Sequence, residues 1–197
     1  MLRDIDERQI SPEKLMSSSD MAKLGCGDCN GCSECCRDRA GAITLDAWDV
    51  SKLKEGLNKS FNEMIAEGLI DITMADNILL PALGKKEGQD ECIFLGDDGR
   101  CTIHDWRPGI CRMFPLARLY HEDGSFSYFL QEGECSRANG VKIKISKWLG
   151  VGKIADYEKA VREYHDRLVD LREACSQATS YPDIVKLQTQ FLKDNFE

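Results

Sequence analysis

The sequence predicts an α+β fold, and three observations lead to this prediction. Apolar residues recur at spacings of three and four over residues 153–177, which is the periodicity of an amphipathic helix. Short apolar stretches bounded by turn residues, typical of strands, occupy the middle of the chain. The chain has 197 residues and no internal repeat, a length that suits one domain with its own core. We therefore expect helices at both ends and short strands between them.

Helix-start and helix-stop residues predict two helices after the first cysteines. Thr44 is the expected N-cap of the first helix, which Gly56 and Asn58 weaken at its end. Ser60 is the expected cap of the second helix, and Gly68 stops it.

The strand predictions follow from apolar stretches and turn residues. Residues 69–83 predict two short strands with a turn at 75–77. A further strand is expected at 92–95. Residues 118–120 and 125–130 are expected to form a hairpin, because Glu-Asp-Gly lies between them.

The C-terminal part is predicted to be helical. Ser146 can cap a short helix at 147–149, the periodic stretch 153–177 follows, and Pro182 opens a last helix that ends near Asn195.

The chain is predicted to divide into three segments. Residues 1–24 form an N-terminal extension, since Pro12 and three consecutive serines leave room for a short turn at most. Residues 25–177 form a cysteine-cluster domain, and residues 178–197 form a helical tail.

Composition and charge exclude several functional classes. The net charge is −8 and charged residues make up 30% of the chain, which argues against a general nucleic-acid binder. No apolar run approaches the roughly 18 to 20 residues that span a bilayer, and residues 1–10 mix both signs of charge without an apolar stretch. We therefore expect a cytoplasmic protein without a membrane or nucleic-acid partner.

Ten cysteines are the unusual feature of this composition. Disulfides do not persist in a reducing compartment, so the thiols are predicted to be metal ligands. The densest cluster spaces four thiols three residues apart and doubles the last, a spacing that lets one loop close around a metal. Because adjacent side chains point apart, the doublet suggests two neighbouring sites. The cluster is Cys26, Cys29, Cys32, Cys35 and Cys36.

A second group of cysteines is spread over the middle of the chain. Cys111 follows Pro108 by one turn, and a thiol near a helix start ionises more readily. Each isolated cysteine could equally be a small buried apolar residue. Four of them beside a dense cluster favour ligation. The group is Cys92, Cys101, Cys111 and Cys135.

Two blocks of residues resemble a known family. They are Cys29-x2-Cys32-x2-Cys35-Cys36 and the stretch from Cys92 to Pro115, C-I-F-L-x3-G-R-C-x-I-H-x2-R-P-x2-C-R-x-F-P, followed by Cys135. In this order they resemble the YkgJ-like cysteine-cluster family, the CxxCxxCC domain described as zinc- or iron-chelating, over about residues 26–165. The resemblance extends to the cysteine domain of flagellin lysine N-methylases. It implies eight shared metal ligands: Cys29, Cys32, Cys35, Cys36, Cys92, Cys101, Cys111 and Cys135. Cys26 and Cys175 fall outside the pattern, and the role of Cys26 stays open.

The number and kind of donors favour iron–sulfur over zinc. Eight thiols fit one or two 4Fe-4S clusters, which cysteines alone can hold, and the motif has no histidine at zinc-finger spacing. Cys29, Cys32 and Cys35 with one distant thiol are expected at one site, and Cys36 with the later group at another. Zinc as a structural ion is the alternative.

Other polar residues near the motif have competing roles. His104 is expected to be a structural histidine rather than a ligand. Arg107 and Arg112 could screen the negative charge of a thiolate site or tie down loops through carbonyl groups. Phosphate-binding loops, a Ser/His/Asp order and an HExxH motif are absent from the sequence.

Three functions follow. The favoured one is an iron–sulfur protein, for structural, electron-transfer or redox-sensing use with an unidentified protein or redox partner. The methylase resemblance implies the second, an S-adenosylmethionine-dependent enzyme acting on protein lysine. The third is a zinc-stabilised interaction module. The sequence does not decide whether the chain is an enzyme.

Overall fold

The computed structural model describes residues 10–25, 32–37, 43–137 and 140–197. Within these ranges the α+β prediction is confirmed, since helices combine with three two-stranded antiparallel sheets. The α-helices are α1 (Glu34–Arg37), α2 (Ala47–Leu57), α3 (Phe61–Ala66), α4 (Gly109–Met113), α5 (Ile145–Leu149), α6 (Ile154–Gln177) and α7 (Tyr181–Phe196). The strands are β1 (Met21–Lys23), β2 (Ile70–Ala75), β3 (Ile78–Leu83), β4 (Leu116–Tyr120), β5 (Phe126–Leu130) and β6 (Lys142–Lys144). Short 3-10 turns lie at Pro12–Lys14 and His104–Trp106.

Reciprocal capping boxes begin α2 and α3. The Asp46 side chain accepts a hydrogen bond from the Asp49 N–H at 2.8 Å, and the Asp49 carboxylate accepts one from the Asp46 N–H. The predicted cap at Thr44 is wrong, because Thr44 pairs with Ala82 in an isolated β-bridge and the helix begins after Asp46. The cap of α3 at Ser60 is confirmed.

Two of the sheets are the predicted hairpins. β2 and β3 pair from Ile70 with Leu83 to Ala75 with Ile78, and the turn residues Asp76 and Asn77 have φ of 47° and 62°. Positive φ at both central residues is the geometry that matches the twist of the strands. β4 pairs with β5, as predicted.

The predicted strand at 92–95 is wrong. This stretch makes only isolated bridges, Lys85 with Cys92 and Leu95 with Cys101, so it is a series of turns held at its ends.

Part of the segment predicted as an N-terminal extension is built into the fold. β1 pairs with β6, Met16 forms a bridge with Tyr128, and the Leu24 side chain is fully buried. The boundaries of the three predicted segments stay predictions.

Two clusters of buried side chains form the interior. The first core joins α2, α3, the β2–β3 hairpin, α7 and the part of α6 from Tyr164 onwards. The second core joins β1, the β4–β5 hairpin, α5 and the N-terminal half of α6. α6 contributes Tyr164 and Leu171 to the first core and Tyr157 and Val161 to the second. Among the helices in the described ranges, none has the length and apolar character needed to cross a membrane.

Candidate metal centre

The short helix α1 carries the cysteine doublet. The Sγ atoms of Cys35 and Cys36 lie 4.0 Å apart. The Cys36 carbonyl accepts a hydrogen bond from the Cys92 N–H at 2.8 Å, and Arg37 forms an ion pair with Glu91. These two contacts attach the first cysteine group to the beginning of the second.

A tight turn brings the next cysteine back to Cys92. The Leu95 N–H donates to the Cys92 carbonyl at 3.0 Å, and the Gly96 N–H donates to the Arg100 carbonyl at 2.8 Å. Gly99 adopts φ of 75°, a conformation that side chains with a Cβ rarely take. Cys101 therefore returns opposite Leu95, close to Cys92 in space.

Cys111 lies in α4, whose N-terminal end is attached to α2. The Gly109 N–H donates to the Asp49 Oδ1 at 2.7 Å in a buried hydrogen bond. Trp106, between the two cysteines of this loop, packs its indole over Gly56 of α2 so closely that an added Cβ would lie 2.2 Å from the ring. Helix α2 therefore holds the segment that joins Cys101 to Cys111 at two points.

These segments bring five predicted ligands together beside the first core. Cys92 belongs to that core, and three further predicted ligands pack against it. Burial raises the pKa of Cys111 well above its usual value, and the neighbouring charges of Cys35, Cys92 and Cys101 raise it further. The five cysteines are Cys35, Cys36, Cys92, Cys101 and Cys111.

Burial and mutual repulsion make the thiols of this cluster hard to ionise. The hydrogen bond with the Cys35 thiol, burial and the neighbouring thiolates all raise the pKa of Cys36. Burial also raises the pKa of Cys92 and of Cys101. Thiols that oppose one another's ionisation in this way stay protonated unless a positive charge compensates them. A metal supplies that charge and releases the protons.

The donors in this cluster are sulfur atoms. His104, the histidine nearest to it in the motif, places Nε2 2.6 Å from Arg107 Nη1, which supports its predicted structural role. In the described ranges no set of three or more Cys, His, Asp or Glu side chains is already arranged to hold an ion. The predicted ligand Cys29 lies outside those ranges, as does Cys26.

The other cysteines have different surroundings. Cys32 is half-buried, two residues before α1. Cys135 adjoins Ser136, whose hydroxyl donates to the Glu34 carboxylate at 2.6 Å, so its segment also approaches α1. Cys175 lies on α6 beside Gln188, at the edge of the first core.

The two arginines of the motif divide the predicted roles between them. The charge of Arg107 offsets part of the rise that burial causes in the pKa of Cys101. Arg112 donates to the Asp105 carbonyl and so ties down the loop.

Sequence reasoning missed the residues that hold this loop. Gly56 is the next-to-last residue of α2, and its missing side chain leaves the space that the Trp106 indole occupies. The capping role of Asp49 could have been predicted from the sequence, because an acidic residue three positions after Asp46 fits a capping box. Its bond to Gly109 depends on tertiary structure and has no local signal.

Comparison with known proteins gives a family and no closer relative. No curated protein and no solved structure matches the chain. The profile of the CxxCxxCC family, described as "putative zinc- or iron-chelating domain", matches residues 28–193. This range contains all eight cysteines predicted as ligands, whereas Cys26 precedes it. The match covers most of the chain and agrees with the resemblance of the two cysteine blocks, so the protein belongs to the CxxCxxCC family of metal-chelating domains.

Proposed function

We propose that this chain is an iron–sulfur protein whose cysteines hold one or two 4Fe-4S clusters for electron transfer, redox sensing or structural support. The observation that carries the proposal is the convergence of five thiols from three separate segments, of which Cys92 is buried and the other four are half-buried. An iron–sulfur cluster would supply reversible one-electron chemistry at this position. The ligands in this proposal are Cys29, Cys32, Cys35, Cys36, Cys92, Cys101, Cys111 and Cys135.

The number of thiols supports more than one four-ligand site. One tetrahedral zinc and one 4Fe-4S cluster each take four cysteines, whereas the described cluster alone contains five. Cys35 and Cys36 are adjacent, which favours ligation of different metal atoms. The family description supports metal binding and includes both zinc and iron.

The proposed surroundings of the site follow from its chemistry. Thiolate ligands persist in a reducing compartment, so we propose a cytoplasmic location. A redox partner protein is expected if the cluster transfers electrons.

Anaerobic purification tests this function. We expect brown protein that absorbs broadly in the visible range and contains iron and acid-labile sulfide. Colourless protein with stoichiometric zinc and no sulfide, even after iron–sulfur reconstitution, would replace this function with that of a zinc-stabilised interaction module.

A second measurement addresses enzymatic chemistry at the metal. If every iron of the cluster has a cysteine ligand, no coordination position is open for a substrate. We therefore expect S-adenosylmethionine to leave both the electron paramagnetic resonance spectrum and the binding heat of cluster-loaded protein unchanged. A saturable spectral change would instead support the S-adenosylmethionine-dependent enzyme.

A further inference from the structure

Asp49 is a buried carboxylate on α2 with both oxygens engaged. Only 3% of the residue is exposed. Oδ1 accepts the hydrogen bond from the Gly109 N–H at 2.7 Å, and Oδ2 accepts the one from the Asp46 N–H at 3.3 Å. Burying a carboxylate is unfavourable unless it is well hydrogen-bonded. An apolar side chain at this position would avoid that cost but could not accept the Gly109 N–H. The bond to Gly109 is therefore what an aspartate contributes at this position of α2.

Tyr157 leaves no space for a side chain at Gly109. A Cβ placed on Gly109 would lie 2.3 Å from the hydroxyl of Tyr157, which is itself fully buried. The same hydroxyl accepts a hydrogen bond from Arg118. The backbone of Gly109 therefore lies between the carboxylate that binds it and an aromatic ring that leaves no room for a side chain.

The position of Gly109 determines the position of Cys111. The two residues belong to a single helical turn, in which the Arg112 N–H donates to the Pro108 carbonyl at 2.9 Å. The C-terminal end of this turn is held by Trp148, whose indole N–H donates to the Phe114 carbonyl at 3.2 Å. With both ends attached, the turn presents Cys111 towards the other thiols in one orientation.

We propose that Asp49 is a positioning residue of the metal centre, holding Cys111 in its ligating place by accepting the Gly109 N–H. This inference rests on the proposed function, because it takes Cys111 as a metal ligand. Asp49 is not among the proposed ligands, and its hydrogen bond acts on the metal centre through the position of Cys111.

A double-mutant cycle tests the inference. Asp49→Ala and Cys111→Ser are made singly and together in the full chain, and the rate of metal loss from anaerobically purified protein to excess EDTA is measured by elemental analysis. We expect Asp49→Ala to speed metal loss about tenfold, the effect of losing one buried hydrogen bond. In the Cys111→Ser background, Asp49→Ala should alter the rate at which the remaining metal is lost by less than about twofold. The residue through which Asp49 acts is absent there.

Three further variants separate positioning from general stability. Asp49→Asn retains an oxygen acceptor for Gly109 and loses only the one for the Asp46 N–H, so it should speed metal loss less than Asp49→Ala does. Val161→Ala removes buried volume from the second core without touching Gly109, and it should leave the rate of metal loss unchanged. Asp49→Leu fills the site with an apolar side chain of similar size, so it provides the same test if Asp49→Ala does not fold.

The outcomes distinguish failure of the inference from failure of the proposed function. Equal acceleration by Asp49→Ala in both backgrounds, or equal acceleration by Val161→Ala, would show that Asp49 serves only stability. Unchanged metal content in Cys111→Ser would remove Cys111 from the ligand set, and the inference would fall with that assignment. Loss of metal in Cys111→Ser with no effect of Asp49→Ala would overturn the inference alone.

Discussion

Individual cysteines in this chain differ in what surrounds them, although all are of one residue type. Cys111 lies among other thiols, and burial together with their charges raises its pKa well above the usual value. Cys175 packs against the same core, but its described polar neighbour is the amide of Gln188, 4.0 Å from the sulfur. Burial alone therefore does not distinguish a proposed ligand from a packing residue. The proximity of other thiols is the observation on which the proposed assignment of Cys111 rests.

Serine substitutions at these two cysteines should separate ligation from packing. Cys111→Ser should lower metal content and reduce the free energy of unfolding by about 2 kcal/mol or more, because loss of a ligand also removes folding free energy. Cys175→Ser should keep full metal content and cost about 1 kcal/mol or less. Elemental analysis and denaturant unfolding measure both quantities. Equal metal loss in the two variants would contradict this division of the thiols.

A stacked histidine away from the thiols gives a pH prediction. The ring of His165 lies parallel to that of Tyr120, with centroids 3.6 Å apart. Burial lowers the pKa of His165 from its usual value of 6.5, with Asp166 opposing this shift and Arg172 adding to it. The unfolded chain therefore takes up this proton at a higher pH than the folded chain, so stability is lost as the pH falls below about 6.5.

His165→Phe should reduce this loss, because phenylalanine keeps the stack and does not titrate. The measurement is the free energy of unfolding of both proteins between about pH 7.5 and pH 5.5, a range that spans the usual histidine pKa. Identical pH dependence of the two proteins would show that His165 does not contribute to it.

At the scale of elements, α2 is the support of the cysteine loop. Asp49 and Gly56 lie seven positions apart, which is two helical turns, so both face the same side. One holds Gly109 by a hydrogen bond, and the other lies against the ring of Trp106. The loop has little regular structure of its own, so its geometry depends on this helix.

Gly56→Ala should displace Trp106 and loosen the loop. A methyl group at this position would overlap the rigid indole, and overpacking of this kind costs about 1 to 3 kcal/mol. Gly152→Ala is the matched control, since its Cβ would meet nothing within 4 Å. Gly56→Ala should lower the thermal unfolding midpoint and speed metal loss, whereas Gly152→Ala should change neither quantity. A Gly56→Ala protein as stable as the wild type would show that Trp106 moves without cost.

The β2–β3 turn allows a stabilising change. Asn77 has φ of 62°, which glycine adopts without strain, and its carbonyl remains available to accept the bond from Gln188. Asn77→Gly should stabilise the hairpin by up to about 1 kcal/mol, because Asn-Gly and Asp-Gly turns match this geometry best. Asn77→Val should destabilise it by a similar amount, since a β-branched residue resists positive φ. If both variants raised the denaturant midpoint, or both lowered it, the role given to the positive φ of Asn77 would be contradicted.

At the scale of the whole molecule, the cysteines of the proposed metal centre lie chiefly against the first core, although Ile110 and Met113, from the same helix as Cys111, pack in the second. The cluster containing Cys92 packs on the first core, whereas β1, the β4–β5 hairpin and α5 surround the second. α6 passes through both. Loss of metal should therefore act first on the first core and its loops.

Hydrogen exchange before and after chelation checks this division. Metal removal should speed exchange at the amides of Cys92, Thr102 and Arg112, whose hydrogen bonds hold the cysteine segments. The amide of Tyr128, which donates to the Met16 carbonyl at 2.7 Å in the second core, should exchange at nearly its original rate. Uniform acceleration across both cores would mean that they unfold as one unit with the metal.

Local signals accounted for most elements. The hairpin of β2 and β3, the Ser60 cap and the helical periodicity of α6 could all be predicted, because each depends on residues a few positions apart. The cap expected at Thr44 failed because a bridge to Ala82 holds Thr44 in extended backbone before the helix. The strand expected at 92–95 failed because the stretch turns back on itself, with the Leu95 N–H donating to the Cys92 carbonyl.

The sequence by itself determined the family of this protein, because cysteine spacing and the order of the two blocks are readable without coordinates. It also determined the α+β class. Only the tertiary structure decided which thiols meet and what holds them, since Cys35, Cys92 and Cys111 are brought together by contacts such as Asp49 with Gly109, 60 residues apart. Hydrogen bonds of this kind form between groups whose distance is set by the packing of whole helices, and no local pattern encodes that distance.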